Sequence, residues 1–326
     1  MRKLLCLAVA LASLGTISSA QTITTQTFGA GATAFSIDFV QIGNLGNAAD
    51  SRNGVGTKRG AVNYVYSLAK YEISRDMVLN ASKGGGLGLT LADMIYYNGV
   101  NKAATGITWN EAARFVNFLN ISSGSTLAYK FDGNGNYQLW SAGDVGYNPS
   151  NQFRNSLAKY FLPSRDEWYK GAFGTPSGSW NNFATGNLEP IAVSNGTANN
   201  TMVYAQIYDY NIPLGPPDTY PLAGPSDIIS AGGLSAWGTM AQGGNAREWV
   251  ESAVDGTNDT AAELRSCLGG AWNDLSTPMW NGISLAIDPS SEISTLGFRV
   301  AMIPEPSSLS LLALGGVVAL RKRKRV

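Results

Sequence analysis

Histidine is absent from the 326 residues, and cysteine occurs only twice, as Cys6 and Cys267. The first absence excludes His-ligated zinc, iron or copper, a Ser-His-Asp triad, a Cys-His dyad and imidazole acid–base chemistry. Any chemistry must therefore rest on carboxylates, lysine, tyrosine, hydroxyls or a thiol. Charge is also sparse: only 14% of residues are charged, 23 basic against 23 acidic. The two apolar stretches at the ends, Leu4 to Leu14 and Leu309 to Leu320, are both shorter than the ~20 residues that comfortably span a bilayer. What is present is apolar and aromatic: 44% hydrophobic residues, with eight Trp, 14 Tyr and 11 Phe, too much for a disordered chain. The 38 glycines exceed the usual ~7% share and imply a fold rich in turns.

The two ends are basic and read as processing segments. Residues 1–20 carry Arg2 and Lys3, the apolar stretch, and small residues ending Ser18-Ser19-Ala20, the order expected of a secretory signal peptide cut by signal peptidase after Ala20. Residues 304–326 carry Pro304-Glu305-Pro306, the second apolar stretch and the cluster Arg321 to Arg325. This tail resembles the bacterial PEP-CTERM sorting signal. The resemblance implies transient association with the inner membrane, removal by an exosortase-type enzyme, and delivery to the cell surface or extracellular matrix.

Without these ends, two basic residues leave with the leader and five with the tail, so 16 basic residues face 22 acidic ones. That balance argues against a nucleic-acid partner. Cys267 then stands alone, so no intramolecular disulfide is expected, and a lone thiol in an exported chain reads as a buried one.

Residues 21–303 show no repeat or linker and read as one domain. Alternation predicts a strand over 34–40 and a second from Val62 to Leu68. Ser74 is a candidate N-cap for a helix from Arg75 to Asn80. Thr108 and Glu111 form a capping box ahead of a helix through Asn120, with Trp109, Ala112, Ala113, Val116 and Leu119 on one face. Ser164 caps a further helix with Asp166 and Glu167 in its first turn, the stretch Gln242 to Val250 reads as a Gly-rich turn entering a strand, and a final strand spans Leu296 to Ala301.

Taken in order, Tyr71-Glu72-Ile73-Ser74, Thr108-Trp109-Asn110-Glu111-Ala112, Leu162 to Trp168, Gly244-Asn245-Ala246-Arg247-Glu248-Trp249, Gly269-Gly270-Ala271-Trp272 and Gly297-Phe298-Arg299 resemble the successive blocks of the formylglycine-generating enzyme (sulfatase-modifying factor) domain. The resemblance covers roughly Ala34 to Met302. It implies an α+β fold related to the C-type lectin fold, coil-rich, with short strands and few helices.

The activity of that family does not follow. Its members oxidise a substrate cysteine with copper held by two cysteines, four and nine residues after the second glycine of the Gly-Gly block. Those positions are Asp274 and Met279 here, and neither replaces a thiolate in a Cu(I) site. Copper is therefore not expected. The resemblance also implies a candidate structural calcium held by the carbonyls of Gly244 and Ala246 and the carboxylate of Glu248, although the ligand expected three residues before Gly244 is Ala241. The alternative role for Glu248 is to accept hydrogen bonds from the turn amides. Glu167 and Glu248 form a candidate glycosidase-like pair, set against structural roles at their corners. Arg165 and Arg299 suit internal ion pairs and carbonyl capping, and Arg247 is expected to point outward.

Two function classes remain. One is a non-catalytic surface or matrix module that binds extracellular polysaccharide or a surface protein. The other is an enzyme of the same superfamily with a divergent site around Asp274 and Asp288.

Overall fold

The computed structural model describes residues 21–52, 58–91, 99–206, 224–275 and 284–304. The leader, Met279, Glu305, Pro306 and the basic tail lie outside the described residues, and Pro304 is the last one inside them. In chain order the elements are β1 (Ile23–Phe28), β2 (Phe35–Ile42), β3 (Tyr66–Ala69), α1 (Arg75–Gly85), α2 (Trp109–Ser122), β4 (Lys130–Phe131), β5 (Tyr137–Gln138), β6 (Tyr160–Phe161), α3 (Arg165–Phe173), β7 (Ile191–Val193), β8 (Thr201–Val203), β9 (Arg247–Ala253), β10 (Arg265–Leu268), β11 (Ser284–Ile287), β12 (Leu296–Phe298) and β13 (Ala301–Met302). Among the described residues, three α-helices, many short strands and long irregular connections make this the expected α+β, coil-rich architecture. Among the described residues no helix is long and apolar enough to cross a membrane.

Local sequence explains the helices. In α2 the Glu111 amide donates to Thr108 Oγ1 at 3.1 Å while the Thr108 amide donates to the Glu111 carboxylate at 2.9 Å, so two otherwise unpaired donors are satisfied reciprocally. Its apolar face, Trp109, Ala112, Ala113, Val116 and Leu119, is fully buried. The same box closes α3 through Ser164 and Glu167. Helix α1 starts at the expected Ser74 cap but runs to Gly85, beyond the predicted Asn80, and stops where Gly86 adopts φ 62°, a conformation glycine takes without a Cβ clash.

A five-stranded antiparallel sheet has the order β1-β2-β3-β13-β6, and a four-stranded sheet the order β11-β10-β9-β12. The strand predicted over 34–40 is β2. The strand predicted from Val62 shrinks to Tyr66–Ala69, because the Val62 amide turns to the Asn47 side chain and the Tyr64 hydroxyl to Glu167. The expected final strand divides in two. Leu296–Phe298 pairs in parallel with β9, and Ala301–Met302 pairs with β3 and β6. The chain changes sheets at Arg299 and Val300, which places the Arg299 side chain at the junction of the two sheets. The largest of several core clusters among the described residues joins Phe39, Tyr66, Trp109, Phe115, Trp249 and Phe298. The Trp109 indole donates to the Val250 carbonyl and the Trp249 indole to the Ile107 carbonyl, which ties α2 to β9.

Candidate functional site

At the sheet junction, Glu248 on β9 faces Arg299. The guanidinium donates to both carboxylate oxygens at 2.6 Å, and the Trp168 indole donates to one of them. Both side chains are fully buried. Arg299 also donates to the carbonyls of Ala69 at 3.0 Å and Met240 at 2.7 Å, so it performs both tasks expected of it. Arg165 differs, since its Nε is buried without a hydrogen-bond partner.

The turn amides at this junction are held by another carboxylate. Glu72 accepts from the Ala246 amide at 2.9 Å and from the Asn245 side chain, while Asn245 occupies the left-handed region at φ 67°, a conformation asparagine tolerates better than most residues. Burial, reinforced by the Glu248 charge, pushes the Glu72 carboxyl up to about 8. The role of hydrogen-bonding the turn therefore belongs to Glu72 and not to Glu248.

Gly244, Ala246 and Glu248 do not fit a calcium ion as they stand. Each Glu248 oxygen already accepts a guanidinium N–H, and a divalent cation there would sit beside the Arg299 charge. No group of three or more acidic or thiol side chains suited to a metal occurs among the described residues.

The loop that would carry the oxidase cysteines is held by different chemistry. Asp274 accepts the Ala271 amide at 2.7 Å and pairs with the Arg247 guanidinium, whose Nε also donates to the Gly269 carbonyl. Arg247 thus folds back over the loop instead of pointing outward, because the carboxylate four residues beyond the glycines gives it a partner. Asp288 closes its own turn by accepting the Ser290 amide and hydroxyl, and those bonds hold its carboxyl low. Cys267 lies on β10 between Trp249 and Leu285 in register. It is buried, which pushes its thiol well up. A thiol reagent should label Cys267 slowly in the native protein and quickly after denaturation. Equal rates in the two states would place the thiol on the surface.

Glu167 and Glu248 are not brought together as a pair open to substrate. Glu167 is fully buried, accepting the Ser164 amide and the Tyr64 hydroxyl. Its charged neighbour is Arg154, whose Nη1 lies 3.6 Å away, and the same guanidinium places Nε 3.4 Å from Glu251. Glu251 further accepts from the Tyr129 hydroxyl at 2.9 Å and the Asn151 side chain at 2.6 Å. Arg154 lies over the Phe161 ring at 3.8 Å. Burial pushes the Glu251 carboxyl up against the opposing pull of Arg154. For Arg154, burial works against the charge, but Glu251 and Glu167 outweigh it and hold the guanidinium protonated.

Above this cluster opens a cavity of about 260 Å³ lined by Tyr64, Asn148, Asn151, Arg154, Ser156 and Ile303, among others. That is slightly below the ~300–1,000 Å³ of ordinary small-molecule clefts. Sequence reasoning missed Arg154, Glu251 and Tyr64. Arg154 lies in a turn-rich stretch, and Glu251 is 97 positions further on, so no local pattern joins them.

Residues 70–303 match the family model for the sulfatase-modifying factor enzyme 1-like domain. Among solved structures, Treponema denticola variable protein 1 aligns with a TM-score of 0.58 at 17% identity, covering 86% of this chain and 99% of that one. PvdO from Pseudomonas aeruginosa aligns with a TM-score of 0.53 at 16% identity, covering 86% and 98%. CarF aligns with a TM-score of 0.52 at 14% identity, covering 82% and 99%. At these identities the likeness is one of fold. A sequence search of curated proteins returns no match.

Proposed function

The chain belongs to the sulfatase-modifying factor enzyme 1-like domain family, and we propose that it uses this fold as an exported binding module and not as a cysteine oxidase. The observation that carries this reading is the state of the Gly-Gly loop. At the first thiolate position stands Asp274, already engaged by Arg247 and the Ala271 amide, and the lone described thiol is buried within a sheet. A hard carboxylate paired with a guanidinium is a poor match for Cu(I), which selects soft sulfur ligands. A competition titration against a Cu(I) chelator tests this. The chain should fail to withdraw copper from the chelator, and stoichiometric transfer would overturn the reading.

Export and sorting belong to the same proposal. The leader over residues 1–20 directs translocation, Pro304-Glu305-Pro306 is the recognition element, and the apolar stretch with its basic end holds the chain at the inner membrane until an exosortase-type enzyme removes it. The mature protein then acts at the cell surface or in the extracellular matrix, where polysaccharides and surface proteins are the available partners. Changing Glu305 to Ala should leave translocation intact and trap an unprocessed, membrane-associated form, read by C-terminal mass spectrometry of membrane and surface fractions. Wild-type protein that keeps Arg321 to Arg325 at its final location would show that the tail is an anchor.

A further inference from the structure

Strand β1 forms one edge of the five-stranded sheet, and its pairing phase with β2 leaves its other side open. The Gln41 amide donates to the Thr22 carbonyl, and opposed residues of an antiparallel pair exchange their bonds at every second position. In the register from Ile23↔Val40 to Phe28↔Phe35, the backbone groups of Thr24, Gln26 and Phe28 therefore face β2, and those of Ile23, Thr25 and Thr27 face outward. The Lys70 amide donates to the Asp38 carbonyl, which confirms the phase, because Asp38, opposite Thr25, is turned toward β3. Ile23, Thr25 and Thr27 are exposed, and no backbone hydrogen bond reaches them from another described residue outside the β1–β2 ladder. Soluble proteins usually guard such an edge with lysine, proline, a bulge or a covering segment. Strand β1 reads Ile-Thr-Thr-Gln-Thr-Phe, carries neither charge nor proline, and keeps an unbroken register.

Symmetry identifies what fits. The outward residues are centred on Thr25, so a second β1 running antiparallel about a two-fold axis there sets Thr25 opposite Thr25 and Ile23 opposite Thr27. Each of these pairs has outward groups on both sides, so every free N–H meets a free carbonyl. An isologous contact also sets any charge near its axis against its own copy. None stands on the strand, and the neighbouring Asp38 carboxylate accepts the Thr25 hydroxyl at 2.6 Å. A foreign strand finds no charge on β1 to select it. We propose that β1 pairs with the β1 of a second copy of this chain, joining two five-stranded sheets into one continuous sheet. A single strand pair is small beside the ~1,200–2,000 Å² of a stable interface, so the association is weak and depends on protein concentration. The pairing is independent of what the domain binds.

Sedimentation equilibrium of the full chain over a range of concentrations, with Thr25→Pro and Thr25→Ala beside it, tests this. All three share the same chain ends, so a difference between them reports the edge. Proline at position 25 deletes an outward N–H while keeping the bonds to β2, and alanine deletes only the hydroxyl. Wild type and Thr25→Ala should pass from monomer to dimer as concentration rises. Thr25→Pro should raise the dissociation constant about tenfold or more, with a melting temperature close to that of Thr25→Ala. A second measurement does not need the proline variant to fold. In a Cys6→Ser background, with Cys267 buried, Thr25→Cys places two thiols across the axis at a Cα separation of ~5.5 Å, within disulfide reach. Mild oxidation should give a covalent dimer from Thr25→Cys and none from Ser36→Cys, since Ser36 lies exposed on β2, one strand in from the edge. A wild type that stays monomeric at every concentration, a Thr25→Pro chain that associates as wild type does, or equal cross-linking at the two positions would overturn the proposal.

Discussion

Arg299→Ala is expected to lower folding stability by about 3–5 kcal/mol, the usual cost of removing one partner from a buried ion pair. The size follows from what the substitution leaves behind. Glu248 would remain fully buried with the Trp168 indole as its surviving strong donor, and the carbonyls of Ala69 and Met240 would lose their Arg299 bonds. Arg299→Lys should recover only part of the loss, because an ammonium cannot donate to both Glu248 oxygens and to both carbonyls in the same planar arrangement. Urea denaturation of the three proteins measures this. A loss below about 1 kcal/mol would place the pair in the class of weak, solvent-screened contacts and would remove the junction between the sheets as a principal element of the fold.

Arg154→Ala is expected to cost a comparable amount, about 3–5 kcal/mol near neutral pH, with a pH signature that Arg299→Ala does not share through the same groups. Removing the guanidinium leaves Glu167 and Glu251 facing each other without a cation between them. Glu251 is already pushed up by burial in the intact protein, and loss of Arg154 raises it further. A carboxyl whose folded pKa exceeds its unfolded value binds its proton more tightly in the native state, so its contribution is fully present below the unfolded pKa and is lost as pH rises through the folded one. The variant should therefore recover stability as pH falls from 7 toward the ordinary carboxylate range, and its deficit relative to wild type should narrow. Denaturation curves at a series of pH values test the sign. A deficit that stays constant or widens on acidification would show that the two carboxylates do not depend on Arg154 for their charge balance.

The fold was legible in the sequence where its signals are local. Thr108 and Glu111 announce α2 because a capping box needs only four consecutive positions, and the apolar face behind it repeats every three or four residues. The Ser164 cap of α3 is read in the same way. Strand β1 carries no such signal: Ile23–Phe28 is largely exposed and threonine-rich, and it becomes a strand through pairing with β2. The division of the last strand was equally hidden, since a run of apolar residues does not reveal that Arg299 must turn toward Glu248 between two sheets.

The candidate site follows the same rule. The blocks around Glu72, Glu167, Glu248 and Arg299 are visible as sequence, but their partners are not. That Glu72 holds the turn amides while Glu248 is engaged by Arg299 depends on contacts between residues 51 and more than 170 positions apart. Arg247 closes on Asp274 only because the Gly-Gly loop brings that carboxylate back to β9. The Arg154 cavity is assembled from separate loops and strands, so none of its segments is distinctive alone.

If this chain keeps the family's fold without its oxidase chemistry, turnover of a cysteine substrate should be absent. The full chain, supplied with copper, oxygen and reductant, is incubated with a cysteine-containing peptide, and the peptide is followed by mass spectrometry for conversion of the thiol to the aldehyde. With Asp274 held by Arg247 and Cys267 buried in β10, no aldehyde above a protein-free control is predicted. Aldehyde that forms in proportion to added protein would contradict the account.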